Sequence, residues 1–270
     1  IAKRLSEWGL DTCFSVTGGG AMHLNDAFGA APEISVRYMH HEQACSIAAE
    51  GYARIAGKPA ILNVTAGPGA INAMNGVFGA YTDSIPMVVV SGQVRLDTMT
   101  TSHDLSELRQ LGDQELRTTE AISPMVKSHR ILRDPSETLN IVDELVSDAL
   151  NGRPGPVWID VPVNIQGSLF DDEWLPIPDV KQRAQNLDQV SDVLAVLAGA
   201  ERPVILAGSG VRIAGVTEEL VAFAEALEIP VLTAWTHDLI PSDHVLYAGR
   251  PGTIGTRAGN FVLQAADVVL

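Results

Sequence analysis

The chain of 270 residues holds only two cysteines, Cys13 and Cys45. Two thiols make no disulfide framework, and a chain without oxidative stapling fits a cytoplasmic setting. Positive charge is also scarce: 18 Lys and Arg stand against 33 Asp and Glu, a net charge of −15. A surface that acidic repels phosphate backbones and anionic lipid, which argues against nucleic acid or a membrane as partner. No apolar run approaches the roughly 20 residues of a spanning helix, and no signal-peptide pattern opens the chain. Two nucleotide signatures are missing as well. There is no Gly-x-Gly-x-x-Gly, which disfavours a nicotinamide-dependent oxidoreductase, and no Gly-Lys-Ser/Thr, which excludes a P-loop.

What is present is globular. Hydrophobic residues make up 46% and charged residues 19%, enough apolar material for real cores, and the length favours two domains. Strand-like runs at 12–16, 35–39, 60–64 and 86–91 alternate with helical spacing at 22–29, 43–57 and 70–83. In the helix at 43–57, Ala44, Ile47, Ala48, Tyr52 and Ile55 form an apolar stripe. Such alternation predicts an α/β fold, a parallel sheet with helices on both faces. Residues 94–112 read as irregular with a helix near the end, 137–150 as a helix and 157–160 as a strand. The Pro-, Asp- and Gln-rich stretch 163–187, with Leu175-Pro176-Ile177-Pro178, suits a domain connector. The alternation then restarts, with helices at 187–198 and 217–227 and strands at 203–207 and 230–233. The opening residues from Ile1 read as the middle of a helix and the closing residues to Leu270 as a strand just beginning. The expectation is a fragment of a longer protein.

Four places carry chemistry-bearing residues, each with a plain structural alternative. Gly18-Gly19-Gly20, between a strand and a helix, lets the backbone approach a ligand closely, or simply turns the chain. His40-His41-Glu42 ends a strand and opens a helix. Adjacent residues point apart, so the spacing disfavours a metal. Glu42 there either complements the positive end of a helix or exchanges a proton with a bound heterocycle. Thr65-Ala66-Gly67-Pro68-Gly69-Ala70-Ile71-Asn72 offers backbone N–H groups at a helix start and the side chains of Thr65 and Asn72. Ala207-Gly208-Ser209-Gly210 repeats a glycine turn in the second half. The first three follow successive strands of one sheet, so one crevice would collect them.

At these residues the sequence resembles thiamine diphosphate-dependent enzymes of the acetolactate synthase and pyruvate oxidase group. The resemblance is carried by His41-Glu42-Gln43-Ala44, Ala49-Glu50-Gly51-Tyr52-Ala53-Arg54 and Gly57-Lys58-Pro59. It continues through Val64-Thr65, Gly67-Pro68-Gly69-Ala70 with Asn72, Asp83-Ser84-Ile85-Pro86, Ser91-Gly92-Gln93-Val94, and Gly152-Arg153-Pro154-Gly155-Pro156-Val157 with Asp160-Val161-Pro162. It implies a pyrimidine-binding domain at 1–165, a linker at 166–185 and a truncated, Rossmann-like central domain at 186–270. Glu42 matches the family's catalytic glutamate. A carboxyl hydrogen-bonded to the pyrimidine favours the imino form of its amino group, which takes the proton from the thiazolium carbon that then attacks a 2-keto acid. Gly19, Gly20, Thr65, Gly69, Asn72 and Gln93 match cofactor-binding positions.

The implied activity is acetolactate synthase-like: decarboxylation of pyruvate or another 2-keto acid and transfer of the acyl unit. Mg²⁺ would be held through a further domain, whose Gly-Asp-Gly is not found here; Gly112-Asp113-Gln114 is no match. The resemblance also implies a homodimer or homotetramer with the active site between subunits. Gly18, His41 and residues 236–239 depart from the family pattern. Pro124 stands where an Arg contacts FAD in flavin-containing members, so FAD stays open. The alternatives are another 2-keto acid decarboxylase or lyase, and a non-catalytic nucleotide-binding or dimerisation module.

Overall fold

The structure is a computed structural model that describes residues 1–105, 107–169, 175–178, 189–235 and 238–270. It divides into two compact units, Ile1–Arg183 and Ala184–Leu270.

In the first unit, α1 (Ala2–Glu7) leads to β1 (Thr12–Ser15), α2 (Met22–Ala30), β2 (Ser35–Tyr38), α3 (Glu42–Ala56), β3 (Ala60–Val64), α4 (Pro68–Thr82) and β4 (Met87–Gln93). After an irregular stretch come α5 (Thr118–Ile122), β5 (Ser128–Ile131), α6 (Thr138–Leu150), β6 (Pro156–Pro162) and α7 (Val163–Gln166). The strand order is β2-β1-β3-β4-β6-β5, and every neighbouring pair is parallel. Strands β3, β4 and β6 are buried along their whole length. That is why they read as unbroken apolar runs: a central strand covered on both faces has no polar side to show.

Alternate residues of these strands feed two cores. Val88, Val90 and Ile159 join Leu5, Leu24, Phe28, Val142 and Leu145 on the face covered by α1, α2 and α6. Met87, Val89 and Trp158 join Ala49, Ala53, Ala73 and Val77 on the face covered by α3 and α4. The chain runs outward from β1 to β2 and returns to β3 on the other side of β1. The carboxyl ends of β1 and β3 therefore flank a switch point, where such sheets open a crevice.

The apolar stripe of α3 faces the core only in part: Tyr52 packs against it beside Phe14, whereas Ile47 and Ile55 do not. Its buried side is Cys45, Ser46, Ala49 and Ala53, while Ile47 and Ile55 are 48% and 77% exposed. The reason is the closeness of α3 to α4: a Cβ on Gly76 would lie 2.6 Å from the Ser46 carbonyl carbon. Only small side chains fit in that contact, so Ile47 and Ile55 point out.

Three further expectations are corrected. Strand β5 was not foreseen, because Ser128, His129 and Arg130 make it a polar, partly exposed edge. The stretch 94–112 holds short 3₁₀ turns at Leu96–Thr98 and Thr100–Ser102, and the helix comes later, as α5. The connector begins with α7 and is tied down at Leu175 and Pro176, whose carbonyls accept hydrogen bonds from the buried Arg4; residues 170–174 and 179–188 lie outside the described residues. Arg4 also donates to both carboxylate oxygens of Asp143, at 2.7 and 2.5 Å.

The second unit comprises α8 (Val190–Ala198), β7 (Pro203–Ala207), α9 (Ser209–Ile213), α10 (Thr217–Leu227), β8 (Val231–Thr233), β9 (Tyr247–Gly249), α11 (Arg257–Ala265) and β10 (Val268–Val269). Its sheet is parallel in the order β10-β7-β8-β9, over a core of Leu197, Ile205, Ala224, Ile229, Val231 and Leu239. The start expected for α8, at 187, lies outside the described residues. Among the described residues no helix is long and apolar enough to cross a membrane.

Candidate active site

The switch point of the first sheet gathers three of the four candidate segments. The glycine turn after β1 lies against the turn after β3: the Gly20 N–H donates to Thr65 Oγ1 at 3.1 Å. Side chains fix that turn from both ends. Asn25 Nδ2 donates to the Gly18 carbonyl at 3.1 Å, and Gln166 Nε2 donates to the Gly20 carbonyl at 2.7 Å. Asn25 is itself held by Asn63 on β3, whose amide donates to Asn25 Oδ1 at 2.8 Å and to Ser15 Oγ at 3.0 Å. Gly19 faces open space, with nothing within 4 Å of where a Cβ would stand.

Glu42 is the first residue of α3. His41 caps that helix, its ring Nδ1 accepting from the Gln43 N–H at 3.1 Å. A carboxylate in this first turn is favoured by the helix dipole, so the structural reading of Glu42 holds. It has a second role in the geometry. Asn72, one turn into α4, donates from Nδ2 to Glu42 Oε2 at 3.0 Å. Gly69 lies beneath the same carboxyl, where a Cβ would come within 3.3 Å of Oε1 and 2.8 Å of Thr65 Cγ2. Glu42, Thr65, Gly69 and Asn72 thus share one notch, with the turn of Gly18, Gly19 and Gly20 joined to it through Thr65.

Gln93 is placed differently. Its side chain is fully buried. One amide group donates to Asp160 Oδ2 at 2.8 Å and the Leu116 carbonyl at 2.9 Å, and its own carbonyl accepts from the Val94 N–H at 2.9 Å. Asp160, on β6, also accepts from Ser91 Oγ at 2.5 Å, and Ser91 accepts from Trp158 Nε1 at 2.6 Å. Burial pushes the Asp160 carboxyl up to about 7, against the opposing pull of hydrogen bonds from Ser91, Gln93 and Thr118.

The loop 94–116 carries none of the expected site residues, yet it reaches the turn at Gly67 beside the notch. Gln114 has a positive φ of 60°, and its carbonyl lies against Gly67, where a Cβ would be 2.3 Å away. Gly67 has φ 56° and precedes α4, so glycine is required there for both its conformation and the close approach. Glu115 fastens the loop. It accepts from the Thr100 N–H and Oγ1, each at 2.7 Å, and from the Leu111 N–H at 2.8 Å. Burial alone would raise its pKa, but these donors outweigh burial and hold the carboxyl below its usual value. A polar, aperiodic stretch gives no sequence signal for such a fastening.

The remaining candidates stay apart. Among the described residues no group of three His, Cys, Asp or Glu is placed to hold a metal, His40-His41-Glu42 included. Cys45 and Cys13 are buried and free. Burial pushes Cys45 up to about 11, with the charge of Glu42 adding to the effect, so it is no nucleophile at neutral pH. The turn after β7 belongs to the second unit, and Gly208 and Gly210 face open space. That unit has its own cavity of about 350 Å³, lined by Trp235, Arg250, Gly252 and Ile254 among others.

Residues 1–115 match the family described as thiamine pyrophosphate enzyme, N-terminal TPP binding domain. Residues 190–270 match the thiamine pyrophosphate enzyme central domain. The whole chain aligns with a probable acetolactate synthase large subunit of Methanocaldococcus jannaschii, at 34% identity over 45% of that protein. It aligns with the acetolactate synthase large subunit of Lactococcus lactis at 33% over 46% of its length. The large subunit of Escherichia coli isozyme 1 aligns at 31% over 47%. The chain therefore spans about half the length of the curated relatives it matches.

Proposed function

We propose, for a chain that belongs to the thiamine pyrophosphate enzyme family, that the notch at Glu42 holds the pyrimidine half of thiamine diphosphate in an acetolactate synthase-like enzyme. The observation that carries this reading is the Glu42 carboxyl, held over Gly69 by Asn72 at 3.0 Å. The donor set suits an aminopyrimidine. A carboxyl group can share a proton with a ring nitrogen, and glycine at 69 lets the start of α4 come close under that carboxyl, where a Cβ would press on Thr65. Asn72 fixes which oxygen of Glu42 stays free for that exchange. Thr65 and the clamped Gly18-Gly19-Gly20 turn line the neighbouring wall, with Gly19 presenting open backbone.

When bound, thiamine diphosphate supplies an acidic carbon and an electron sink for the loss of CO₂ from a 2-keto acid. Glu42 serves by holding and returning a proton at the pyrimidine ring. We take the substrate to be pyruvate or another 2-keto acid, with transfer of the acyl unit to a second keto acid. Mg²⁺ and the diphosphate belong, on this reading, to parts of the whole protein outside this sequence. FAD stays open, since Pro124 stands where flavin-containing members carry an Arg.

A homodimer at least is part of the proposal. Ile47 and Ile55 on α3 and Ile71 and Phe78 on α4 are each about half exposed or more, an apolar surface that association would cover. The two buried, free thiols support a cytoplasmic setting.

The test is Glu42→Gln in the full-length protein, followed by NMR of deuterium exchange at the thiazolium C2. The amide keeps the size of the side chain but cannot relay the proton. Exchange should be abolished with the fold intact; near-normal exchange would remove Glu42 from the chemistry.

A further inference from the structure

The chemistry assigned to Glu42 uses no group on β6, yet β6 carries a fully buried carboxyl, Asp160, at the carboxyl end of the sheet. A buried carboxyl is costly unless its donors are in place. Here they come from two elements. Ser91 and Gln93 on β4 donate to its two oxygens, at 2.5 and 2.8 Å. Thr118, at the start of α5, is a third side-chain donor. No cation is among these partners.

The other hydrogen of the Gln93 amide leads away from the sheet. It reaches the Leu116 carbonyl at 2.9 Å, with Thr118 Oγ1 at 3.3 Å. Leu116 closes the loop that Glu115 fastens internally, and two residues earlier the Gln114 carbonyl lies on Gly67. Gly67 sets the entry into α4, whose first turn brings Gly69 under Glu42 and Asn72 onto it. A continuous line of contacts thus runs from Asp160 through Gln93, Leu116 and Gln114 to the Glu42 notch.

We propose that Asp160 is a positioning residue: through Gln93 it anchors the end of the loop 94–116, and so holds Gln114 against Gly67 and the first turn of α4 in one geometry toward Glu42. Gln93 acts from behind the site rather than by touching the cofactor, as its complete burial and its full set of protein partners support. The inference rests on the cofactor reading above and deepens it. What the anchor needs at position 160 is an acceptor for Gln93, not a full negative charge, since burial already pushes this carboxyl up to about 7.

The experiment compares Asp160→Asn, Asp160→Leu and Gln93→Met in the full-length protein. It measures the Kd of thiamine diphosphate with Mg²⁺ by calorimetry and the thermal midpoint of the apoprotein. Asparagine still accepts from Gln93, so its Kd should stay within about threefold. Asp160→Leu and Gln93→Met, which break the link on either side, should weaken cofactor binding tenfold or more. Gln93→Met keeps the side-chain length, so the test survives if Asp160→Leu does not fold. A purely structural role would lower the midpoint in every variant and leave Kd unmoved, and that pattern overturns the proposal. Equal losses in Asp160→Asn and Asp160→Leu overturn it too. Glu42→Gln in parallel separates the two readings. Normal C2 exchange there sinks the cofactor site itself; lost exchange beside a normal Gln93→Met Kd sinks only the anchor.

Discussion

Replacing Gly76 by alanine should pull the two halves of the notch apart. Gly76 lies on α4 where that helix touches α3, and a Cβ there would lie 2.4 Å from Ser46 Oγ, 2.6 Å from the Ser46 carbonyl carbon and 2.7 Å from the Ile47 nitrogen. Two of these are backbone atoms, so no rotamer change relieves the overlap. Reaching ordinary contact at 3.4 Å or more means separating the helices by about 1 Å, and overpacking of this kind costs about 1–3 kcal/mol. Alanine itself favours the helix by about 1 kcal/mol. The internal control is Gly79→Ala, three residues along the same helix. Its Cβ would meet only the Glu50 carboxylate, at 3.2 Å, the end of a side chain that can shift. The helix gain then stands almost alone, and Gly79→Ala should be neutral or stabilising by up to about 1 kcal/mol. Because α3 carries Glu42 and α4 carries Asn72, Gly76→Ala should also weaken cofactor binding. Denaturant unfolding of both variants, with cofactor titration, decides the matter. Equal stability of the two would refute the reasoning that helix contact, and not helix propensity, fixes glycine at 76.

Two further predictions concern buried charge. Arg4→Met removes an almost fully buried cation from Asp143 and from the Leu175 and Pro176 carbonyls; breaking such a pair costs about 3–5 kcal/mol, measurable as a lower urea midpoint. For Asp160 the sign of the pH dependence follows from its raised folded-state pKa. The unfolded carboxyl releases its proton near 3.8 and the folded one near 7. Unfolding free energy should therefore fall as pH rises from about 4 to about 7, by on the order of 4 kcal/mol at 1.36 kcal/mol per unit, and Asp160→Asn should flatten that slope.

Much of the first sheet was legible because its strands are either fully buried or closed by glycine turns. Ala60–Val64 stands where the apolar run placed it, since burial on both faces leaves a composition no surface segment has. Strand β5 escaped because an edge strand with Ser, His and Arg has no such composition. At Ile47 and Ile55 the stripe on α3 misled for a physical reason. Periodicity marks the side with the largest apolar residues, whereas the side that packs was chosen by closeness, and closeness selects Cys45, Ala49 and Ala53. Legibility of the site divides along the same line. Glu42 and the turns after β1 and β3 follow strands, so their positions could be inferred from the alternation alone. The reach of Gln114 to Gly67 and the link from Gln93 to Asp160 join segments 47 and 67 residues apart, and no local pattern encodes such pairings.

The protein also shows, within one sheet, what cover does to a carboxyl. Asp160 lies wholly under α5 and its neighbours and is pushed up to about 7, although three side chains donate to it. Glu42 has the opposite setting. It stands at an open edge beside the exposed Asn72, with Gly19 facing empty space and Ile47 and Ile71 exposed on the helices that carry it. A second surface laid over Glu42 would shut water out of the notch and strengthen the hydrogen bonds made there. It would also bury the apolar side chains of α3 and α4 in the same step. On the proposed reading, proton exchange at Glu42 and association through these helices would be two consequences of one event. On this reasoning a charge placed at Ile47 should weaken association and C2 exchange together, even though Ile47 itself has no chemistry to contribute.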